Sequence, residues 1–127
     1  MADILVVSDV PWVVNDVRSA LTDARFTVSV EDDPRAAPET ARTTGPDAVL
    51  VDLQIGSMGG MAVTRAIRDA AATSGLQRPP IVLLLDRDAD GFLAGRSGAD
   101  AWLRKPFTAD ALRATLEGLL TEASDSS

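Results

Sequence analysis

Residues 46–53 read PDAVLVDL, a short apolar run that ends at the carboxylate of Asp52. Further apolar runs lie at residues 4–7, 81–85 and 101–103. None of these runs alternates with polar residues, which is the pattern of strands covered on both faces in a parallel sheet. Residues 26–30 alternate instead, and this predicts a strand nearer an edge of the sheet.

Amphipathic stretches separate the runs. Apolar residues recur at helical spacing over residues 13–24, 61–70 and 111–120, and more weakly over 34–43 and 89–96. We expect Pro38 to limit the second helix on its upstream side, because proline is tolerated only in the first turn. Thr108 has the residue type of an N-cap for the last helix, with Asp110 in its first turn.

The order of elements is therefore strand then helix, five times over. Such alternation predicts an α/β fold with an open parallel sheet, helices on both faces and right-handed crossovers. We predict a five-stranded, doubly wound sheet of order 2-1-3-4-5 with five helices. Residues 1–122 are expected to form one domain, and residues 123–127 a polar C-terminal tail.

The composition excludes several classes of function. The chain has 127 residues with no cysteine, histidine or tyrosine, so Ser-His-Asp triads, cysteine nucleophiles and ordinary zinc sites are ruled out. A net charge of −7 without a basic run argues against direct binding to nucleic acid or to an anionic membrane. No signal peptide or membrane-spanning run is evident, and the absence of cysteine makes the cytoplasm the expected location.

Charged residues follow three of the predicted strands: Asp9, Asp52 and Lys105. Solvation alone often explains charges at strand ends, but parallel strands bring their carboxyl ends to one edge of the sheet, where ligands bind. Two carboxylates at close range repel each other unless a cation lies between them, and Mg²⁺ would supply one. Lys105 is the only lysine among twelve basic residues, either by a general drift toward arginine or because the position needs a slim cation.

The chain resembles the receiver domain of two-component response regulators, chemotaxis-regulator-like and of the flavodoxin-like fold, over about residues 3–121. The stretches that carry the resemblance are residues 4–9, 46–53, 58–60, 98–103 and 105–107. Each stretch is weakly specific alone, but their order and intervals together are a strong signal.

The resemblance implies a role for each site residue. Asp52 matches the phosphoacceptor, and Asp9 matches an acidic Mg²⁺ ligand that acts with Asp52 and the backbone carbonyl of Gln54. Lys105 matches the lysine that pairs with the phosphoacceptor and then with the phosphoryl oxygens. The peptide bond before Pro106 is usually cis in the family, and the sequence leaves it open here.

Four positions concern departures from the family pattern or its switch. Ser8 stands where an acid is usual; it could hold Mg²⁺ through a water, and the lost charge predicts weaker metal binding. Leu85 stands where a hydroxyl residue is usual, so it cannot bond a phosphoryl oxygen. Asp86 replaces a small residue and could repel a phosphoryl group or bind the metal or the lysine. Trp102 matches an aromatic switch position, although an apolar ring that covers an edge strand explains it equally simply.

Two functional hypotheses remain. The first is a Mg²⁺-dependent phosphoacceptor, not an enzyme beyond its own phosphoryl transfer and dephosphorylation. Its partners are a sensor histidine kinase or phosphotransfer protein, and a downstream protein that binds the face of the fourth helix, fifth strand and last helix. The second is an atypical pseudo-receiver that binds proteins independently of phosphorylation. A homodimer through the last helix is also open, and a flavodoxin-like or hydrolase domain is less favoured.

Overall fold

The computed structural model describes residues 2–22, 25–52, 59–74, 79–86 and 98–125. Within these ranges five strands and four helices form in the predicted order. They are β1 (Ala2–Val7), α1 (Pro11–Ala20), β2 (Phe26–Glu31), α2 (Ala37–Thr44), β3 (Ala48–Asp52), α3 (Gly60–Ser74), β4 (Ile81–Leu85), β5 (Ala101–Arg104) and α4 (Ala109–Asp125). The helix predicted over residues 89–96 lies outside the described residues.

The sheet has the strand order β2-β1-β3-β4-β5, and every neighbouring pair is parallel. This confirms the predicted doubly wound order. The register aligns the carboxyl ends of the central strands: Val7 pairs with Val51, and Asp52 pairs with Leu84. The residues that follow β1, β3 and β5 are therefore brought to one edge of the sheet.

The three central strands, β1, β3 and β4, are covered on both faces. Alternate side chains, such as Val7, Val51 and Leu83, pack toward α2 and α3 in one cluster. The intervening side chains, such as Leu50 and Leu84, pack toward α1 and α4 in another. A fully buried valine or leucine stabilises the fold by about 1.5–3 kcal/mol relative to an exposed one. The apolar runs of these strands hence position the charged residues that follow them.

The two edge strands differ in how well the sequence predicts them. The burial of β2 is partial along its length, as its alternating pattern predicts. The prediction that residues 101–103 are covered on both faces is wrong, because Trp102 and Arg104 of β5 are exposed while Ala101 and Leu103 are half-buried. A run of three apolar residues cannot distinguish an edge strand, with one neighbour, from a central strand.

Helix ends follow the local signals. The second helix begins at Ala37, so Pro38 lies in its first turn, and it ends at Gly45, whose φ of 57° is left-handed. Thr108 caps α4 as predicted: its Oγ1 accepts a hydrogen bond from the backbone N–H of Ala111 at 3.0 Å. No helix in the described ranges is both long and apolar enough to span a membrane.

Candidate functional site

The candidate site lies at the carboxyl edge of the sheet, where β1, β3 and β5 end. Asp52 is the last residue of β3, Lys105 directly follows β5, and Ser8 directly follows β1. The side chains of Asp52 and Lys105 are 0% and 5% exposed, respectively. The sheet thus brings these three residues, distant in sequence, into one nearly water-free cluster.

The centre of the cluster is an ion pair. The Nζ atom of Lys105 lies 2.6 Å from Oδ1 of Asp52. Burial removes water from both charges at a cost, so such a pair holds only with close geometry and further hydrogen bonds. The backbone of Lys105 is also fixed, because its N–H donates to the carbonyl of Leu85 at 2.7 Å. The Lys105–Pro106 peptide bond is cis, the isomer that the resemblance implied.

Ser8 binds the other oxygen of the same carboxylate. Its hydroxyl donates to Oδ2 of Asp52 at 3.1 Å and accepts a hydrogen bond from the backbone N–H of Val10 at 3.2 Å. The serine is buried. Ser8 therefore orients Asp52 directly, a contact that the sequence did not predict and that adds to its expected role toward a metal-bound water.

Asp86 is the second carboxylate on Lys105. Its Oδ1 atom lies 3.1 Å from Nζ of Lys105, and its side chain is 43% exposed. Of the three roles that the sequence left open for Asp86, the geometry supports that of lysine partner. Leu85, the preceding residue, is fully buried in the cluster of α2 and α3 and has no hydroxyl to offer the site.

Trp12 is a neighbour of the site that sequence reasoning missed. The Nζ atom of Lys105 lies 5.7 Å from the centre of the indole ring, within the range of a cation–π contact. The indole is 50% exposed. The available signal was its place in the first turn of α1, directly after the strand end that carries Ser8 and Asp9.

The remaining predicted positions are only partly described. Asp9 is exposed and lies one residue beyond Ser8, at the end of the strand that pairs with β3. Trp102 lies on β5, where its side chain is 47% exposed and its backbone pairs with Leu83. Gln54 lies outside the described residues, so the third proposed Mg²⁺ ligand has no observed position.

The residues present fit a Mg²⁺ ion in their chemistry. Mg²⁺ binds oxygen ligands and keeps several waters, so one or two carboxylates suffice to hold it. Asp52 and the exposed carboxylate of Asp9 supply such ligands at adjacent strand ends. Among the described residues no group of three or more acidic, histidine or cysteine side chains is assembled for a metal, which agrees with a site completed by backbone and water.

Comparisons with known proteins agree with this geometry. The response regulator receiver domain family matches residues 4–117. The transcriptional regulatory protein TrcR of Mycobacterium tuberculosis is 31% identical over 123 residues, which cover 95% of this chain and 46% of TrcR. The chain spans about half the length of the curated relatives it matches, 46% of TrcR and 55% of the response regulator ArlR of Staphylococcus epidermidis.

Two solved structures are also similar. The BeF₃-activated N-terminal receiver domain of RstA from Klebsiella pneumoniae has a TM-score of 0.79 at 31% identity, covering 93% of this chain and 97% of that one. The receiver domain of the sensor histidine kinase PA1611 from Pseudomonas aeruginosa has a TM-score of 0.80 at 24% identity, covering 94% and 98%. The PA1611 structure carries a magnesium ion coordinated in its active site cleft.

Proposed function

The chain belongs to the response regulator receiver domain family, and on that premise we propose that it accepts a phosphoryl group on Asp52. The observation that carries the proposal is the buried ion pair between Asp52 and Lys105, 2.6 Å apart. A carboxylate held this way is oriented and deprotonated, as a nucleophile for phosphoryl transfer must be. The phosphodonor would be a sensor histidine kinase or a phosphotransfer protein.

The chemistry follows from the arrangement of charges. An oxygen of Asp52 forms the new bond to phosphorus while the bond between phosphorus and the donor's histidine breaks. Lys105 stabilises the negative charge on the phosphoryl oxygens, and Ser8 holds the carboxylate in place by its hydrogen bond to Oδ2. The protein contributes position and charge more than covalent chemistry.

Mg²⁺ would be held by Asp9, Asp52 and the backbone carbonyl of Gln54. When bound, it neutralises negative charge on the phosphoryl group. Ser8 supplies a hydroxyl where a second carboxylate would attract the ion more strongly, so we expect weak Mg²⁺ binding, with Ser8 limited to a contact through water.

The downstream partner would bind the face that contains β5, α4 and the helix predicted over residues 89–96. Trp102 is exposed on β5 and offers an apolar anchor there. With a net charge of −7, this domain would act on proteins in the cytoplasm and not on nucleic acid or membrane directly. A homodimer through the same face is a further option.

Intact mass spectrometry tests the proposal. The protein is incubated with Mg²⁺ and acetyl phosphate, beside an ordinary receiver as a positive control. We expect one phosphoryl adduct on the wild type, none on Asp52→Ala, and normal labelling of Asp16→Asn, which removes an exposed carboxylate on α1. An unlabelled wild type, under conditions that label the positive control, would contradict the proposal.

A second candidate function is protein binding that does not depend on phosphorylation. The buried, hydroxyl-free side chain of Leu85 favours it. The two candidates differ in the response of Trp102 to beryllofluoride, a phosphoryl mimic, in a Trp12→Phe background. A change in Trp102 fluorescence and in partner affinity supports the switch, whereas unchanged fluorescence and affinity support the constitutive module.

A further inference from the structure

We propose that Asp86 couples the state of Asp52 to the connection that follows β4. In the resting protein its carboxylate is tied to Lys105; phosphorylation of Asp52 releases it. This inference rests on the proposed phosphorylation of Asp52. It assigns a specific transmitting role to a residue whose neighbour, Leu85, has no polar group with which to respond to a phosphoryl group.

The first step is that one cation serves two carboxylates. Nζ of Lys105 lies 2.6 Å from Oδ1 of Asp52 and 3.1 Å from Oδ1 of Asp86. An ammonium group has three protons to donate, so each carboxylate takes a share of a limited number of donors. A phosphoryl group on Asp52 adds charge and oxygen acceptors that compete for the same protons.

The second step is that burial decides which member of the cluster gives way. Asp52 and Lys105 are 0% and 5% exposed, and the backbone N–H of Lys105 is bonded to the carbonyl of Leu85 at 2.7 Å. Asp86 is 43% exposed, so its carboxylate can exchange the lysine for water at little cost. Added negative charge at Asp52 therefore expels Asp86 and leaves Lys105 in place.

The third step is where the movement goes. Asp86 directly follows the last residue of β4 and begins the connection to β5. Leu85 is fixed by its burial and by its hydrogen bond to Lys105. Release of Asp86 therefore acts on the chain beyond β4 and not on the strand itself.

The tie between Asp86 and Lys105 can be tested without phosphorylation, because Lys105 is the only lysine of the chain. Brief treatment with acetic anhydride, followed by peptide mapping, measures the reactivity of its amine separately from the α-amine. We expect Asp86→Asn and Asp86→Ala to react about two- to fivefold faster than the wild type, as loss of a half-exposed ion pair implies. Asp16→Asn, with the same change in charge, should react at the wild-type rate.

A second measurement tests the release. Trp12 lies 5.7 Å from the lysine and reports on it when Trp102 is replaced by phenylalanine. Titration with beryllofluoride and Mg²⁺ should give about two- to fivefold tighter binding to Asp86→Asn than to the wild type, because the mimic no longer displaces a carboxylate. Hydrogen exchange of the backbone after Leu85 should rise on binding in the wild type and be already raised in Asp86→Asn.

The outcomes separate the two proposals. Equal lysine reactivity in the wild type and both Asp86 variants overturns the tie, whether or not Asp52 is phosphorylated. Faster reactivity with unchanged or weaker beryllofluoride binding overturns the release. Absence of both phosphoryl labelling and beryllofluoride binding in the wild type refutes the proposed function, and with it the coupling role, while the reactivity of Lys105 still decides the resting contact.

Discussion

Replacing Lys105 with methionine removes the ammonium that lies 2.6 Å from Oδ1 of Asp52 and keeps a side chain of similar length. The hydrogen bond from Ser8 to Oδ2 remains, but it is neutral and 3.1 Å long. Removal of one partner of a buried ion pair costs about 3–5 kcal/mol, because the other charge stays in a site without water to replace the lost partner. We therefore expect Lys105→Met to lose about 3–5 kcal/mol of unfolding free energy.

The contact with Asp86 adds little to this loss. That carboxylate is 43% exposed, and half-exposed pairs contribute about 0.2–1 kcal/mol. The expected total is a large part of the roughly 5–15 kcal/mol that stabilises a domain. For an m-value of about 2 kcal/mol/M in urea, the unfolding midpoint should fall by about 2 M.

Urea denaturation followed by circular dichroism and tryptophan fluorescence measures the change. Arg18→Met, which removes an exposed cation on α1, is the matched control and should change stability by less than about 0.5 kcal/mol. The double variant Asp52→Asn with Lys105→Met should regain about 1–2 kcal/mol over Lys105→Met, because it leaves no unpaired buried charge. A loss below about 1 kcal/mol for Lys105→Met, or no recovery in the double variant, would refute this account of the pair.

Three further changes test other parts of the structure. Ser8→Asp should bind Mg²⁺ on the order of tenfold more tightly in a fluorescence titration, through added Coulomb attraction, and should be less stable without Mg²⁺ because it places a second charge beside Asp52. Gly98→Ala should lose about 1–2 kcal/mol in urea denaturation, since φ is 92° and the new Cβ would meet the Arg68 side chain at 1.8 Å; equal stability would contradict this. Thr108→Ala should lose about 1 kcal/mol in the same assay, most of it regained by Thr108→Ser, which keeps the capping hydroxyl of α4.

The sequence predicted the parts of the fold that follow from local patterns. Continuous apolar runs identify β1, β3 and β4 because both faces of these strands are buried, and the hydroxyl of Thr108 identifies the start of α4 because the cap is a contact within one turn. It failed at β5, where a three-residue run carries no periodicity. Whether Trp102 is covered depends on what packs beside the strand, which no local pattern encodes.

The site was predicted to the same extent and for the same reason. Asp52 and Lys105 could be brought together from their strand ends alone, because parallel strands end at a common edge. The contacts of Ser8, Asp86 and Trp12 could not, since they depend on side-chain directions and on the rotation of α1 about its axis. The spacing of Asp86 was compatible with a metal, a lysine or repulsion, and only the distance of 3.1 Å to Lys105 distinguishes them.

The charge balance of this site explains why a receiver can retain its acceptor and yet change its readout. A hydroxyl at position 85 would respond to a phosphoryl group by attraction, moving inward to donate a hydrogen bond. A carboxylate at position 86 responds to the same group by repulsion and by loss of its share of Lys105. The two devices move the chain after β4 in opposite directions, so the resting contact of Asp86 would resemble the attracted state of a hydroxyl-bearing relative. If so, Asp86→Ala should mimic the phosphorylated form of this protein in its partner binding, whereas Asp52→Ala should not.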